Sequence, residues 1–411
     1  MVSYKEFTLE NGLQVIVHED KEVPVAVVNV LYKVGSKNEN PNKTGFAHLF
    51  EHLMFGGSAN IPSFDPPLQK VGGENNAFTS PDVTNYYITL PSDNIETAFW
   101  LESDRMMSLA FKPEVLDLQK KVVIEEFKQR YLNQPFGDVW LKLRPLVYTN
   151  HPYSWPTIGK EISHIENATL VDVKDFFYRY YRPDNAILVV AGNVNLDQVK
   201  RLSEKWFGEI PSGKNLKQPL PKEPVQTKAQ KLEIKGDVPV SNLYKIYHMC
   251  EKLHPDFTAT DLLSDVLGRG KSSRLYERLV KKEKMFTNLS ASVSGSDDPG
   301  MFIISGTVSN QVPIEEANAA IEQIIEELVS SGIKEEELEK VKNQAEATLE
   351  FAQVELLSKA MSLAFAASLG NTNLVNKGLE LLDKVDLNTI NKVAKNVLAS
   401  HNCTTMFYTP N

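Results

Sequence analysis

Thr44-Gly45-Phe46-Ala47-His48-Leu49-Phe50-Glu51-His52 is the stretch on which the reading of this chain turns. After Thr44 the pattern becomes helical, and Gly56-Gly57 ends it. At 3.6 residues per turn, His48 and His52 lie one above the other on a single face, with Glu51 beside them. Two imidazoles so placed can reach one zinc ion, and a neighbouring glutamate can hold and deprotonate a water there. The order is the inverse of H-E-x-x-H. Histidine is scarce, with 8 in 411 residues, yet the spacing alone is compatible with an ordinary structural helix. A third ligand at a sensible place is what separates the two readings.

Zinc sites with an open position usually take that ligand from further along the chain. A second helical pattern runs from Pro113, suited to a first turn, to Leu132. It contains Val122-Val123-Ile124-Glu125-Glu126-Phe127. Adjacent helical residues point about 100° apart, so only one of the two carboxylates can face inward. Glu126 follows Val122 and Val123 by one turn and Leu118 by two, whereas Glu125 lies among Lys121 and Lys128. Glu126 is therefore the expected ligand and Glu125 the alternative. Taken without the histidines, both would read as surface charges on an amphipathic helix.

Length and composition bound the rest. A chain of 411 residues exceeds one ordinary core, and two domains are expected. With 42% hydrophobic and 24% charged residues it has the balance of a globular protein, and a formal charge of −9 argues against nucleic-acid binding. Two cysteines, Cys250 and Cys403, make no disulfide framework. No apolar run of membrane-spanning length occurs, and Met1–Glu6 lacks the apolar core of a signal peptide. A cytoplasmic location is expected, or a periplasmic one if a signal has been removed.

The chain divides at a proline- and lysine-rich stretch. The expected boundaries are 1–211 for a zinc-binding domain, 212–231 for a linker and 232–411 for a second domain without metal. The two halves share a pattern. A helix over Leu170–Tyr181, the turn Arg182–Asn185 and an apolar strand over Ala186–Ala191 match a helix over Leu387–Leu398, the turn Ser400–Asn402 and a strand over Cys403–Tyr408. Gln14–His18, Val25–Val34 and Asn85–Leu90 read as strands, and Ile95–Met107 as a helix. The fold class is α+β: two homologous α/β-sandwich domains, each a mostly antiparallel sheet covered by helices.

H-x-x-E-H followed 74 residues later by a glutamate in Val-Val-Ile-Glu-Glu resembles the pitrilysin family of zinc metallopeptidases, in the branch of the processing peptidases and their bacterial relatives. Glu10–Val15, Gly45-Phe46-Ala47, Gly72–Thr79 with Asp82, Thr84 and Tyr86-Tyr87, His151-Pro152-Tyr153 through Ile158-Gly159, and Ser273–Tyr276 extend the resemblance over nearly the whole chain. The resemblance implies one zinc per chain, held by His48, His52 and Glu126. It implies Glu51 as the general base that later protonates the leaving amine, and a zinc-bound water of pKa about 7. It further implies an extended peptide added as a strand along Asn76, Ala77, Phe78 and Thr79. By the residues alone, Asn76–Thr79 is an ordinary edge strand.

Two departures from the family pattern stand out. Relatives carry a glutamate seven residues before the metal glutamate; here it is Gln119, which brings no charge and is expected to tune metal affinity or rate by about 10 to 100-fold. Active relatives also use an arginine and a tyrosine from the second domain, where this chain has Val280 and Thr287. Arg278 and Lys281 are out of register. The expected consequence is a heterodimer whose homologous partner supplies that pair across a clam-shell cavity, or a homodimer of altered activity.

Other signals carry less. His248-x-Cys250-x3-His254 has ligand-like residues without a fourth partner, and Gly268-Arg269-Gly270-Lys271-Ser272 lacks the full phosphate-loop spacing. Beside the peptidase stand two alternatives: a structural subunit that has lost peptidase activity, and the lyase that cleaves ribosylhomocysteine, a shorter chain with a cysteine ligand. A scaffold has no use for the intact metal residues, and neither cysteine has a suitable context.

Overall fold

The structure, a computed structural model, describes residues 1–213 and 219–411. The chain forms two compact units. Each is an α+β assembly built on a mixed sheet.

The first sheet contains β1 (Lys5–Thr8), β2 (Gln14–Glu19), β3 (Val25–Tyr32), β4 (Glu74–Thr79), β5 (Thr84–Pro91) and β6 (Ala186–Gly192), in the order β1-β2-β6-β3-β5-β4. Only β2 and β6 pair in parallel. The second contains β7 (Gln230–Gly236), β8 (Asn242–His248), β9 (Phe286–Ser294), β10 (Met301–Val308) and β11 (Cys403–Pro410), in the order β7-β11-β8-β10-β9. Here too one pair is parallel, β7 with β11. The order is that of the first sheet without β1, and β6 and β11 each follow a helix and a short 3-10 turn at the equivalent place. The two halves are thus copies of one topology.

The units are not continuous in sequence. The first comprises Met1–Leu132, His151–Pro221 and Glu350–Lys377; the second comprises Asn133–Asn150, Lys222–Leu349 and Gly378–Asn411. This corrects the single boundaries expected at 211 and 232. β3 and β6 are buried along almost their whole length, so their sheet needs cover on both faces. Helix Leu356–Ser368 covers one face: Ala360, Leu363, Ala364 and Ala367 pack against Ile16, Val27, Leu31, Ile187, Val189 and Ala191. Val28, Val30 and Tyr32 alternate to the opposite face and are equally buried. In exchange, helix Val139–Val147 joins the second unit, where the Val147 carbonyl lies 2.6 Å from His248 Nε2. Of the expected linker 212–231, residues 214–218 lie outside the described residues, and Gln230 already begins β7.

Candidate metal centre and peptide-binding edge

Helix Phe46–Leu53, the motif helix, starts without a side-chain cap of its own. Its first amides would be buried and unpaired. Glu39 supplies the acceptor instead. Its two carboxylate oxygens take N–H bonds from Gly45 at 2.9 Å, Ala47 at 2.8 Å and the Trp155 indole at 3.0 Å. Glu39 is buried, and that burial pushes its carboxyl up to about 8, against the pull of those donors toward the ionised form. Gly45 itself has φ +88°, and a Cβ there would sit 2.5 Å from the Ile158 carbonyl oxygen. On the core side, Phe50 stacks on Tyr181 and Phe176 with ring centroids 5.1 Å apart in each case.

This seating turns His48 and His52 toward helix Pro113–Phe127. Glu126 Oε2 lies 3.7 Å from His48 Nε2 and 3.4 Å from His52 Nε2. One donor atom from each of the three residues falls within 4.8 Å of the others, the only such group among the described residues. Glu125 points away, 69% exposed and paired with Lys128. The residues that bury this helix are Leu116, Val123 and Phe127, whereas Leu118 and Val122 are exposed. Val123, one turn before Glu126, is thus the useful part of the sequence argument; Val122 and Leu118 are not. After Phe127 the helix widens into a π-turn, Lys128–Leu132, from which Arg130 reaches Glu126 Oε1 at 3.0 Å. Gln119 is half-buried on the same helix and makes no hydrogen bond to these ligands among the described residues.

The donor set fits a zinc ion. Tetrahedral bonds of about 2.0–2.1 Å imply ligand–ligand edges of about 3.3–3.4 Å, close to the separations observed from Glu126. Burial lowers the His48 pKa to about 4, so its imidazole is neutral and has a lone pair to give at neutral pH. The hydrogen bond with His52 holds Glu126 below the ordinary carboxylate range.

Glu51 stands on the motif helix between the two histidines in sequence. Burial raises its carboxyl above the usual value, opposed by a 2.6 Å hydrogen bond donated by Thr79 Oγ1 to Oε2. Thr79 ends β4, the edge strand of its sheet. Phe78 faces the other way and stacks on Phe365 at 6.0 Å. Ala77 donates its N–H to the Asn76 side chain at 2.8 Å. Sequence reading missed Glu39 and the Thr79–Glu51 bond: Glu39 caps the helix from a loop before it, outside any capping spacing, Thr79 lies on a different element from Glu51, and neither leaves a periodic pattern.

The second unit offers no comparable site. His248 stacks on Tyr148 with ring centroids 5.6 Å apart, Cys250 lies 4.0 Å from Thr260 Oγ1, and His254 is near Asp256. Val280 packs on the core of this unit, and Thr287 donates to the Thr307 carbonyl. Arg278 is paired with Glu283 and Glu327. No helix among the described residues is long and apolar enough to cross a membrane.

A duplicated α+β topology with an inverted histidine–glutamate–histidine cluster in its first copy defines a pitrilysin-type scaffold. Residues 14–144 match the family model described as insulinase (peptidase family M16), and residues 167–345 match the one described as peptidase M16 inactive domain. The chain is 35% identical over 345 residues to the zinc protease PqqE of Helicobacter pylori, covering 82% of this chain and 78% of that one. A crystal structure of a protease from Helicobacter pylori is similar at TM-score 0.93 and 30% identity, over 100% of both chains. The periplasmic protease PqqL from Escherichia coli shares the fold at TM-score 0.82 and 18% identity; the match covers 99% of this chain but 48% of that one. The chain belongs to peptidase family M16, whose members named here include zinc proteases.

Proposed function

We propose that this chain is a zinc-dependent endopeptidase acting on unfolded peptides. The observation that carries the reading is the convergence of His48, His52 and Glu126 beside Glu51, which is itself tied to an open strand edge. When bound, zinc supplies Lewis acidity, lowering the pKa of water and polarising a carbonyl. Glu51 accepts the proton of the attacking water and returns it to the leaving amine. Its raised pKa suits both directions of transfer. β4 is the edge strand of its sheet, and an extended peptide can pair along that edge irrespective of its sequence once the Asn76 side chain releases the Ala77 N–H. The test is digestion of a mixed peptide library by the zinc-loaded chain, with Glu51→Gln as the blank.

A second feature favours a two-chain enzyme. Val280 and Thr287 stand where active relatives are expected to bring arginine and tyrosine, and Arg278 is committed to two carboxylates. The match to this chain accounts for 48% of the PqqL chain, leaving room there for a second unit of similar length. We propose a homologous partner that contributes the missing pair, with this chain as the zinc-bearing half of a clam-shell. Isolation of the tagged chain with its native companions tests this: a homologous subunit supports it, and full activity of the pure single chain opposes it. A purely structural subunit would give Glu51-independent results throughout.

A further inference from the structure

The Thr79–Glu51 hydrogen bond has two fixed ends. Thr79 is the last residue of β4, opposite Thr84 in the ladder, and the Thr84 hydroxyl is committed to the Val34 carbonyl at 2.9 Å. The turn that follows is closed on itself: Ser80 N–H donates to the Val83 carbonyl at 2.8 Å, and Ser80 Oγ accepts from the N–H groups of Asp82 and Val83. That turn is then gripped by the loop Gly35–Glu39. Ser36 and Lys37 donate their N–H groups to the carbonyls of Ser80 and Pro81 at 3.2 and 3.0 Å, and Lys37 Nζ lies 2.8 Å from Asp82 Oδ1. Only glycine fits at position 35, where a Cβ would lie 2.4 Å from both carbonyl oxygens. Four residues on, Glu39 holds the start of the motif helix, while the Trp155 indole bridges Glu39 and the Ser36 carbonyl. One short loop therefore sets the position of the strand end that carries Thr79 and of the helix that carries Glu51.

We propose that Thr79 is the positioning residue of Glu51, and that the loop Gly35–Glu39 keeps the two in register. The inference rests on the reading of Glu51 as general base. A hydroxyl that donates to a carboxylate makes a short, charge-assisted bond, and the observed 2.6 Å is of that kind. A β-branched side chain on an ordered strand has few rotamers, so the donor is pre-aimed. The bond occupies Oε2 and leaves Oε1 without a hydrogen bond among the described residues. Oε1 is thus the atom assigned to proton transfer. A base displaced by about 1 Å loses on the order of 100-fold in rate, so the hydroxyl acts on turnover and not on binding. Because Thr79 also ends the peptide-binding edge, the same residue ties the register of the bound peptide to the position of the base.

The test compares Thr79→Val, which keeps the shape and removes the hydroxyl, with Thr79→Ser, which restores it. Crystal structures of the zinc-loaded variants are expected to show the Glu51 carboxylate displaced in the valine variant and in place in the serine variant, with zinc affinity unchanged in both. In the native assembly, kcat of the valine variant is expected to fall roughly 10 to 100-fold at constant KM, and serine to recover most of it. An undisplaced Glu51 in Thr79→Val, or a raised KM at constant kcat, overturns the proposal and leaves Thr79 as part of the strand edge alone. Should the wild-type assembly show no Glu51-dependent cleavage, the peptidase reading fails, and the crystallographic comparison still decides the role of Thr79.

Discussion

Replacing Glu39 by alanine should loosen the motif helix, and the cost can be worked from the contacts. The carboxylate accepts three N–H bonds. The Trp155 indole retains the Ser36 carbonyl at 3.1 Å, so it is not orphaned. The amides of Gly45 and Ala47 are left buried without acceptors. At about 1–3 kcal/mol for each unsatisfied donor, the loss is about 2–6 kcal/mol. The pH dependence has a definite sign. The folded-state pKa of Glu39 is raised from 4.5 to about 8, so its stabilising share is complete below 4.5 and is lost as pH rises through 8. The difference between wild type and Glu39→Ala is therefore largest below pH 4.5 and is still larger at pH 5 than at pH 7. It shrinks by up to about 3 kcal/mol by pH 7, at 1.36 kcal/mol per pKa unit. Urea unfolding followed by tryptophan fluorescence at the two pH values measures it. A variant as stable as wild type at pH 5, or a difference that grows with pH, would refute the argument that Glu39 caps this helix from a buried site.

Further outcomes follow from the same contacts. His52→Ala and Glu126→Ala should each abolish the rise in melting temperature that zinc gives the wild type; saturation at 100 times Kd is worth about 2.7 kcal/mol, read by thermal melts with and without metal. Asp265 in the second unit has a side chain only 5% exposed, and burial pushes its carboxyl to about 6 against the pull of Arg269. Its stabilising share is present below 3.8 and lost as pH rises through 6. Asp265→Asn should therefore gain on the wild type between pH 4 and pH 7 by up to about 3 kcal/mol, at 1.36 kcal/mol per unit. Paired urea melts at those two pH values check this, and an unchanging difference would count against it.

Legibility in the sequence tracked locality. His48, Glu51 and His52 could be grouped because four residues make about one helical turn, a relation that needs no tertiary knowledge. The duplicated topology was legible because each half repeats helix, turn and apolar strand at similar depth. Glu126 was chosen over Glu125 with a partly mistaken picture of the helix, since Leu118 and Val122 face outward. Exposure on a helix depends on what lies alongside it, and an apolar residue does not announce that its neighbour is missing. Helix Leu356–Ser368 was invisible as part of the first unit, because its partners lie more than 150 residues earlier. The signal was present but indirect: strands as uniformly apolar as β3 and β6 need cover on both faces. Glu39 could not be found, because a lone buried carboxylate has no periodicity.

The central claim is that His48, His52 and Glu126 hold a zinc ion at which Glu51 moves the proton of peptide hydrolysis. The direct measurement is digestion of a peptide library by the assembly purified through this chain from its native host, with wild-type chain and with Glu51→Gln, at matched zinc content. The account predicts a set of internal cleavage products with the wild type that vanishes in the variant while zinc remains bound. A zinc-replete wild-type assembly whose products are no different from those of Glu51→Gln would contradict it.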